Sequence, residues 1–145
     1  MRKTGFTLVE LIVVIVLVGI VALIAAPRFF SQPTFDASRF QEAAISAIRY
    51  GQKIAVAQHA NVFVVTSASK VSLCYDAGCA ATVKAPGGSD DFVVNIPSGI
   101  GVTVSSFNFN SLGQPIPNAQ TVLAISGDGA SRQIMVERET GYVHK

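Results

Sequence analysis

The chain has 145 residues, a formal charge of +2 and 50% apolar residues, with a mean hydropathy of +0.46. That is enough for one domain with a modest core, and it excludes disorder, collagen-like repeats and a strongly basic nucleic-acid binder of the histone kind. The apolar excess sits at one end: 21 of the first 30 residues are apolar, which leaves an ordinary small domain behind one greasy segment and excludes a multispan membrane protein.

The chain opens with Arg2 and Lys3, then Gly5-Phe6-Thr7-Leu8-Val9-Glu10, then sixteen uncharged residues from Leu11 to Ala26. From Phe6 the apolar stretch would extend roughly 30 Å as a helix, about one bilayer core. The cations ahead of it predict a cytoplasmic N-terminus, with the remainder on the far side. A secretory signal peptide cut near Ala25-Ala26 is one alternative. A plain anchor is another, but it leaves Glu10 unexplained. An acid near the start of a membrane helix costs roughly 2–3 kcal/mol and usually marks a partner, here an amine on a neighbouring chain.

This opening resembles the class III signal of type IV prepilins and pseudopilins. The resemblance implies cleavage between Gly5 and Phe6 by a prepilin peptidase and N-methylation of Phe6. It also implies that the apolar run is retained as a filament core, and that Glu10 pairs with a neighbour's Phe6 amine during assembly. Pro27 falls at the family's usual helix kink. Physics gives Glu10 a matching role: a carboxylate tolerated in an apolar setting only beside an ammonium acts as a register device. Removing residues 1–5 takes Arg2 and Lys3 with it, leaving nine basic against nine acidic residues.

Pro27 should kink or break the first helix, with Arg28-Phe29-Phe30 at the membrane interface. Ser31 to Thr34 reads as a short interruption, after which Thr34 or Asp36 caps a second helical stretch from Ala37 to about Ala60. There Phe40, Ala44, Ala47, Ile48, Gly51 and Ala55 share one face at three- and four-residue steps. Arg39, Glu42, Arg49 and Lys53 lie mostly elsewhere, and Asn61 is the expected stop.

Beyond it the period changes to two. Strands are expected at 62–66, 70–75, 79–84, 92–96, 102–109, 122–126, 132–137 and 142–144, with loops at 85–91 and 110–120. The fold class is therefore α+β: a long N-terminal helix, one half transmembrane and one half amphipathic, packed on an antiparallel sheet. The expected division is a leader at 1–5, a transmembrane and filament-core helix at 6–30, its amphipathic half at 31–61 and a periplasmic β domain at 62–145.

The stretch from Phe107 to Pro115 and the ending Glu139-Thr140-Gly141-Tyr142-Val143 resemble the GspH/FimT group of minor pilins and pseudopilins, in particular minor prepilins of the MSHA pilus system. This implies a non-catalytic subunit taking part in pilus assembly, in a priming or tip complex. Its partners would be other major and minor pilins, the prepilin peptidase, an inner-membrane assembly platform and, before assembly, the membrane itself. A GspH-like pseudopilin of type II secretion is the alternative, and a FimT-like DNA-uptake pilin a second one. The implied location is the bacterial inner membrane as a single-pass protein with a periplasmic domain, and then the pilus.

Cys74 and Cys79, on the non-cytoplasmic side by the topology argument, are expected to form a disulfide. Free thiols or a metal site are the alternatives, and a metal would need two further ligands that His59 and His144 do not offer at any ligand spacing. Asp90-Asp91 and Asp128 lie among glycines, as in ordinary turns, and no spacing resembles a calcium loop. At the C-terminus, Tyr142 and His144 stand where DNA-uptake relatives carry arginines, and Glu137 and Glu139 lie among the remaining cations, so nucleic acid is not expected as a partner. No nucleophile–base constellation, phosphate loop or paired-carboxylate signature suggests an enzyme, and no metal or cofactor is expected.

Overall fold

The computed structural model describes residues 7–25, 32–127, 129 and 131–145. The expected cleavage site Gly5-Phe6, the kink at Pro27 and the loop acid Asp128 lie outside the described residues. The chain divides into two compact units, residues 1–32 and 33–145, and each is described by itself.

In the first unit the described residues 8–25 form helix α1 (Leu8–Ala25). Its 18 residues rise about 27 Å. Among the described residues no helix is long and apolar enough to cross a membrane. The described side chains of α1, from Leu8 to Ala22, are all exposed.

The second unit is one helix on two antiparallel sheets. Helix α2 (Gln32–Gln58) begins earlier than the sequence suggests. Proline's missing N–H is no loss in a first turn, so Pro33 starts the helix rather than interrupting it, and Thr34 and Asp36 lie inside it instead of capping it. At the other end the stop is His59, not Asn61. His59 takes φ 51°, the Ala60 N–H donates to Ala55 O at 3.1 Å and the His59 N–H to Val56 O at 3.4 Å. This is a Schellman closure with a histidine in the usual glycine position.

Among the described residues nine strands follow: β1 (Val62–Thr66), β2 (Lys70–Cys74), β3 (Val93–Asn95), β4 (Gly101–Val102), β5 (Ser106–Phe109), β6 (Pro115–Ile116), β7 (Thr121–Ser126), β8 (Ser131–Val136) and β9 (Val143–His144). They form two sheets rather than the single sheet expected, ordered β3-β2-β1-β5-β6 and β4-β7-β8-β9. The strand expected at 102–109 splits between them, with Val102 opposite Ile125 and Phe107 opposite Val64. The strand expected at 79–84 is reduced to two isolated bridges, Cys74 with Thr82 and Lys84 with Asp91. Within the expected loop 110–120, Pro115 and Ile116 form an edge strand, where a proline's missing donor is harmless.

A single core joins the helix to both sheets. Phe40, Ala44, Ile45, Ile48 and Ala55 of α2 are buried with Val62, Val64, Val71, Leu73, Phe107 and Phe109 of the larger sheet. Leu123, Ile125, Ile134, Val136 and Val143 of the smaller sheet complete it. Buried residues alternate along β1, β7 and β8, as the period-two reading expects, whereas β2 and β5 are buried along most of their length. All six residues assigned to the buried helix face are buried, and Ala37, Gln41 and Ile45 widen that stripe. Gly51 permits the close approach: a Cβ there would lie 3.0 Å from Leu73 Cδ2.

Candidate assembly interface

At the start of α1, Thr7 Oγ1 accepts the Glu10 N–H at 3.2 Å, and the Leu11 N–H donates to Thr7 O at 3.2 Å. Thr7 is therefore the N-cap and Glu10 stands at the third helical position. Thr-x-x-Glu is the capping-box pattern, a signal present in the sequence that the prepilin resemblance overshadowed. The arrangement also places the Glu10 carboxylate in the first turn, where the helix dipole favours an anion. Among the described residues nothing pairs with that carboxylate. Around the helix the apolar side chains face outward on every side, from Leu8 at 73% exposure to Val21 at 64%, and a Cβ on Gly19 would meet nothing within 4 Å. A helix apolar all round belongs inside something else.

Cys74 and Cys79 form a disulfide. Cys74 ends β2 and is fully buried, while Cys79 takes φ 55° in the loop that folds back along β2. Within the loop the Tyr75 N–H donates to Ala81 O and the Val83 N–H to Leu73 O, each at 2.8 Å. Asp76 closes the loop by accepting the Ala81 N–H at 2.7 Å and the Ala80 N–H at 3.1 Å. Those two bonds, Ala81 first, hold its carboxyl below the usual aspartate value.

Of the loop acids, Asp91 is occupied within the protein. Asp91 accepts from Lys84 Nζ at 2.6 Å and from the Thr82 hydroxyl, which holds it below the usual value, the lysine bond first. Among the described residues no group of three or more His, Cys, Asp or Glu is placed to hold a metal ion.

The polar stripe of α2 has a role that periodicity does not reveal: it fastens the C-terminal strands to the helix. Gln41 Nε2 donates to Gln133 O at 2.9 Å. Arg49 donates from Nη2 and Nε to Val143 O at 2.7 and 3.2 Å. Gln52 Nε2 donates to Gly113 O at 2.9 Å and Thr140 O at 2.8 Å, tying together two loops. Lys145 pairs with Glu42. The end of the chain is thus docked onto the domain, with Val143 only 1% exposed. Its cations are engaged: Lys145 with Glu42, and Arg138 with Glu139 at 3.4 Å. His144 is half-buried against Glu137, whereas His59 is exposed.

Comparison with known proteins agrees with this geometry. Residues 1–26 match the prokaryotic N-terminal methylation motif. Over 58 residues the chain is 41% identical to the type IV narrow pilus major component PilA5 of Thermus thermophilus, covering 40% of this chain. The match spans half the length of that relative. Among solved structures, the fold resembles the type IV minor pilin FimU of Pseudomonas aeruginosa, with a TM-score of 0.55 at 12% identity over 79% of this chain and 87% of that one. It also resembles the minor pseudopilin EpsH of the Vibrio cholerae type 2 secretion system, with a TM-score of 0.57 at 10% identity over 75% of this chain and 94% of that one. The chain thus carries the prokaryotic N-terminal methylation motif ahead of a domain with the type IV pilin fold.

Proposed function

We propose that this protein is a minor type IV pilin, a non-catalytic structural subunit that enters a filament through α1. The observation that carries the reading is that helix: apolar and exposed on every side, with Glu10 as its one charge and the methylation motif at its head. Before assembly the apolar run from Phe6 to Ala26 rests in the inner membrane as a single span, with the domain at 62–145 in the periplasm. A prepilin peptidase removes residues 1–5 and Phe6 is methylated. An assembly platform then lifts the subunit, its 6–30 core helix kinked at Pro27 and continued by the amphipathic half at 31–61.

Other major and minor pilins are the partners, and Glu10 meets the Phe6 amine of a neighbour. A desolvated carboxylate without its cation costs several kcal/mol, so subunits join only in the register where the charges meet. The residues at Pro27-Arg28-Phe29-Phe30 and from Phe107 to Pro115 support an MSHA-type subunit resembling MshC, placed in a priming or tip complex.

The EpsH-like fold favours the second reading, a GspH-like pseudopilin of type II secretion. A FimT-like role in DNA uptake is less well supported, because the cations near the C-terminus bind carboxylates of the same domain and a phosphate-tracking surface needs several unencumbered cations.

The test is Glu10→Ala in the native host, with precursor and mature forms resolved by immunoblot and sheared filaments probed for the subunit. The expected result is normal processing with loss of the subunit from filaments. Normal incorporation would refute the charge-pair role. Loss of piliation in a deletion strain supports the pilus reading, and loss of secretion with pili intact supports the pseudopilin.

A further inference from the structure

The last strand is held by a histidine whose two ring nitrogens both face acceptors. His144 Nε2 lies 2.9 Å from Glu137 Oε1, and Nδ1 lies 2.9 Å from Lys145 O. A neutral imidazole has one N–H and one lone pair. It can satisfy one of these contacts, and at the other its lone pair would face an oxygen lone pair. Only the imidazolium donates at both.

The surroundings favour the same form. The Glu137 carboxylate sits across one nitrogen, and the Tyr142 ring stacks on the imidazole with centroids 5.4 Å apart at 20°, an arrangement suited to a cationic ring. The Glu137 hydrogen bond first, and then the Lys145 carbonyl, raise His144 above the usual histidine value, while Arg49 opposes them. Glu137 is lowered in turn, chiefly by His144, and its Oε1 also accepts from Gln120 Nε2 at 3.2 Å.

We infer that His144 is a proton-operated clasp: in its imidazolium form it bolts residues 144–145 to the end of β8, and on losing its proton it releases them. The groups facing it from each packed element fit this role. From β8 and the turn after it come Met135, its cross-strand neighbour, and the charges of Glu137, Arg138 and Glu139. From α2 come Arg49, bound to Val143 O, and Glu42, bound to Lys145. Val143 stays pinned by its burial and by Arg49 in either protonation state. The release is therefore confined to residues 144–145, and it frees Lys145 and Glu42 at the surface. Because the folded state prefers the protonated ring, the clasp is fastened below the histidine's ordinary value and opens as pH rises through the raised one.

The test is a pH titration of the full chain in detergent micelles by NMR, following the His144 ring, the His144 amide and the Val143 methyl groups, with hydrogen exchange corrected for its intrinsic pH dependence. The expected result is a His144 midpoint above the ordinary histidine value, both His144 ring nitrogens protonated below it, and loss of protection at the His144 amide on the order of tenfold above it. Glu137→Gln should move the His144 midpoint down towards the ordinary histidine value while leaving the Val143 methyl shifts unchanged. His144→Gln, which keeps one donor but cannot titrate, should remove the pH dependence of exchange at residue 144. A His144 midpoint at or below the ordinary histidine value, a single neutral tautomer at low pH, or unchanged protection at the His144 amide across the titration would overturn the clasp.

Discussion

Gly141 is the position where the account of the C-terminal fastening can be tested most sharply. Its φ is +64°, and a Cβ there would lie 2.1 Å from Gly113 O, 2.6 Å from Gln52 Nε2 and 3.0 Å from Phe109 Cε1. Alanine in the left-handed region costs roughly 1–2 kcal/mol. The clash with a backbone oxygen cannot be relieved by a rotamer change, so the two loops must part. Gln52 then loses its hydrogen bonds to Gly113 O and Thr140 O, each worth about 1 kcal/mol. Gly141→Ala should therefore cost about 3–4 kcal/mol, a fall in Tm of roughly 10–20 °C for a domain of this size.

Two controls separate the contributions. Gly87 has φ +72° with nothing within 4 Å of a Cβ, so Gly87→Ala carries the backbone cost alone, roughly 1 kcal/mol. Gly113 has φ +79°, but its Cβ would meet only the side chains of Val56 at 3.0 Å and Gln52 at 3.3 Å, which can yield, so Gly113→Ala should fall between the two. Urea unfolding of the full chain in micelles, followed by near-ultraviolet circular dichroism, gives the series. Equal losses at Gly87 and Gly141 would refute the reasoning, because the close packing around residue 141 would then contribute nothing.

Three further outcomes follow from the same geometry. Replacing both Cys74 and Cys79 by serine should cost roughly 2 kcal/mol, the entropy of so short a closed loop, read from the shift in urea midpoint; a loss above about 4 kcal/mol would show that the bridge carries more than the loop. Arg49→Met, which keeps the aliphatic stem but not the donors to Val143 O, should cost about 1.5–3 kcal/mol and raise amide exchange at His144, which pairs with Met135; unchanged exchange there would refute the fastening role. Asp76 titrates below the usual value in the folded state, so its contribution is present above the ordinary aspartate value and lost as pH falls through the lowered one. Asp76→Asn should flatten that part of the acid-stability profile, and an unchanged profile would show that the Ala80 and Ala81 bonds do not favour the ionised form.

What could be read from the sequence was what is encoded locally. The buried face of α2 follows from three- and four-residue steps, which mark Phe40, Ala44, Ala47, Ile48, Gly51 and Ala55 in the sequence. The six-residue opening around Glu10 is equally local, and so is the pairing of two cysteines five residues apart.

Choices settled by distant partners were not legible. Nothing in Val102-Thr103-Val104 marks the point where the chain leaves one sheet for the other, because that depends on β7 taking up Val102 and β1 taking up Phe107. The edge strand at Pro115-Ile116 exists because Phe109 and Asn108 are there to pair with it. A histidine in the left-handed closing position of α2 gives no sequence signal of the kind that glycine or asparagine gives. Arg49 and Gln52 read as solvent-facing polar residues on a helical wheel, and their acceptors lie 94 and 61 residues away at Val143 and Gly113. The Thr7 cap differs from these: its pattern was present and simple, and the same residues carried a more specific resemblance.

The central claim is that the greasy N-terminus is processed as a prepilin and kept. Intact-mass and N-terminal peptide mass spectrometry of the protein purified from its host membrane tests it directly. The account predicts a chain beginning at Phe6 with a methylated amine and containing residues 6–26. A chain beginning beyond Ala26 would contradict it, as would a stable product that retains residues 1–5 in cells with an active prepilin peptidase.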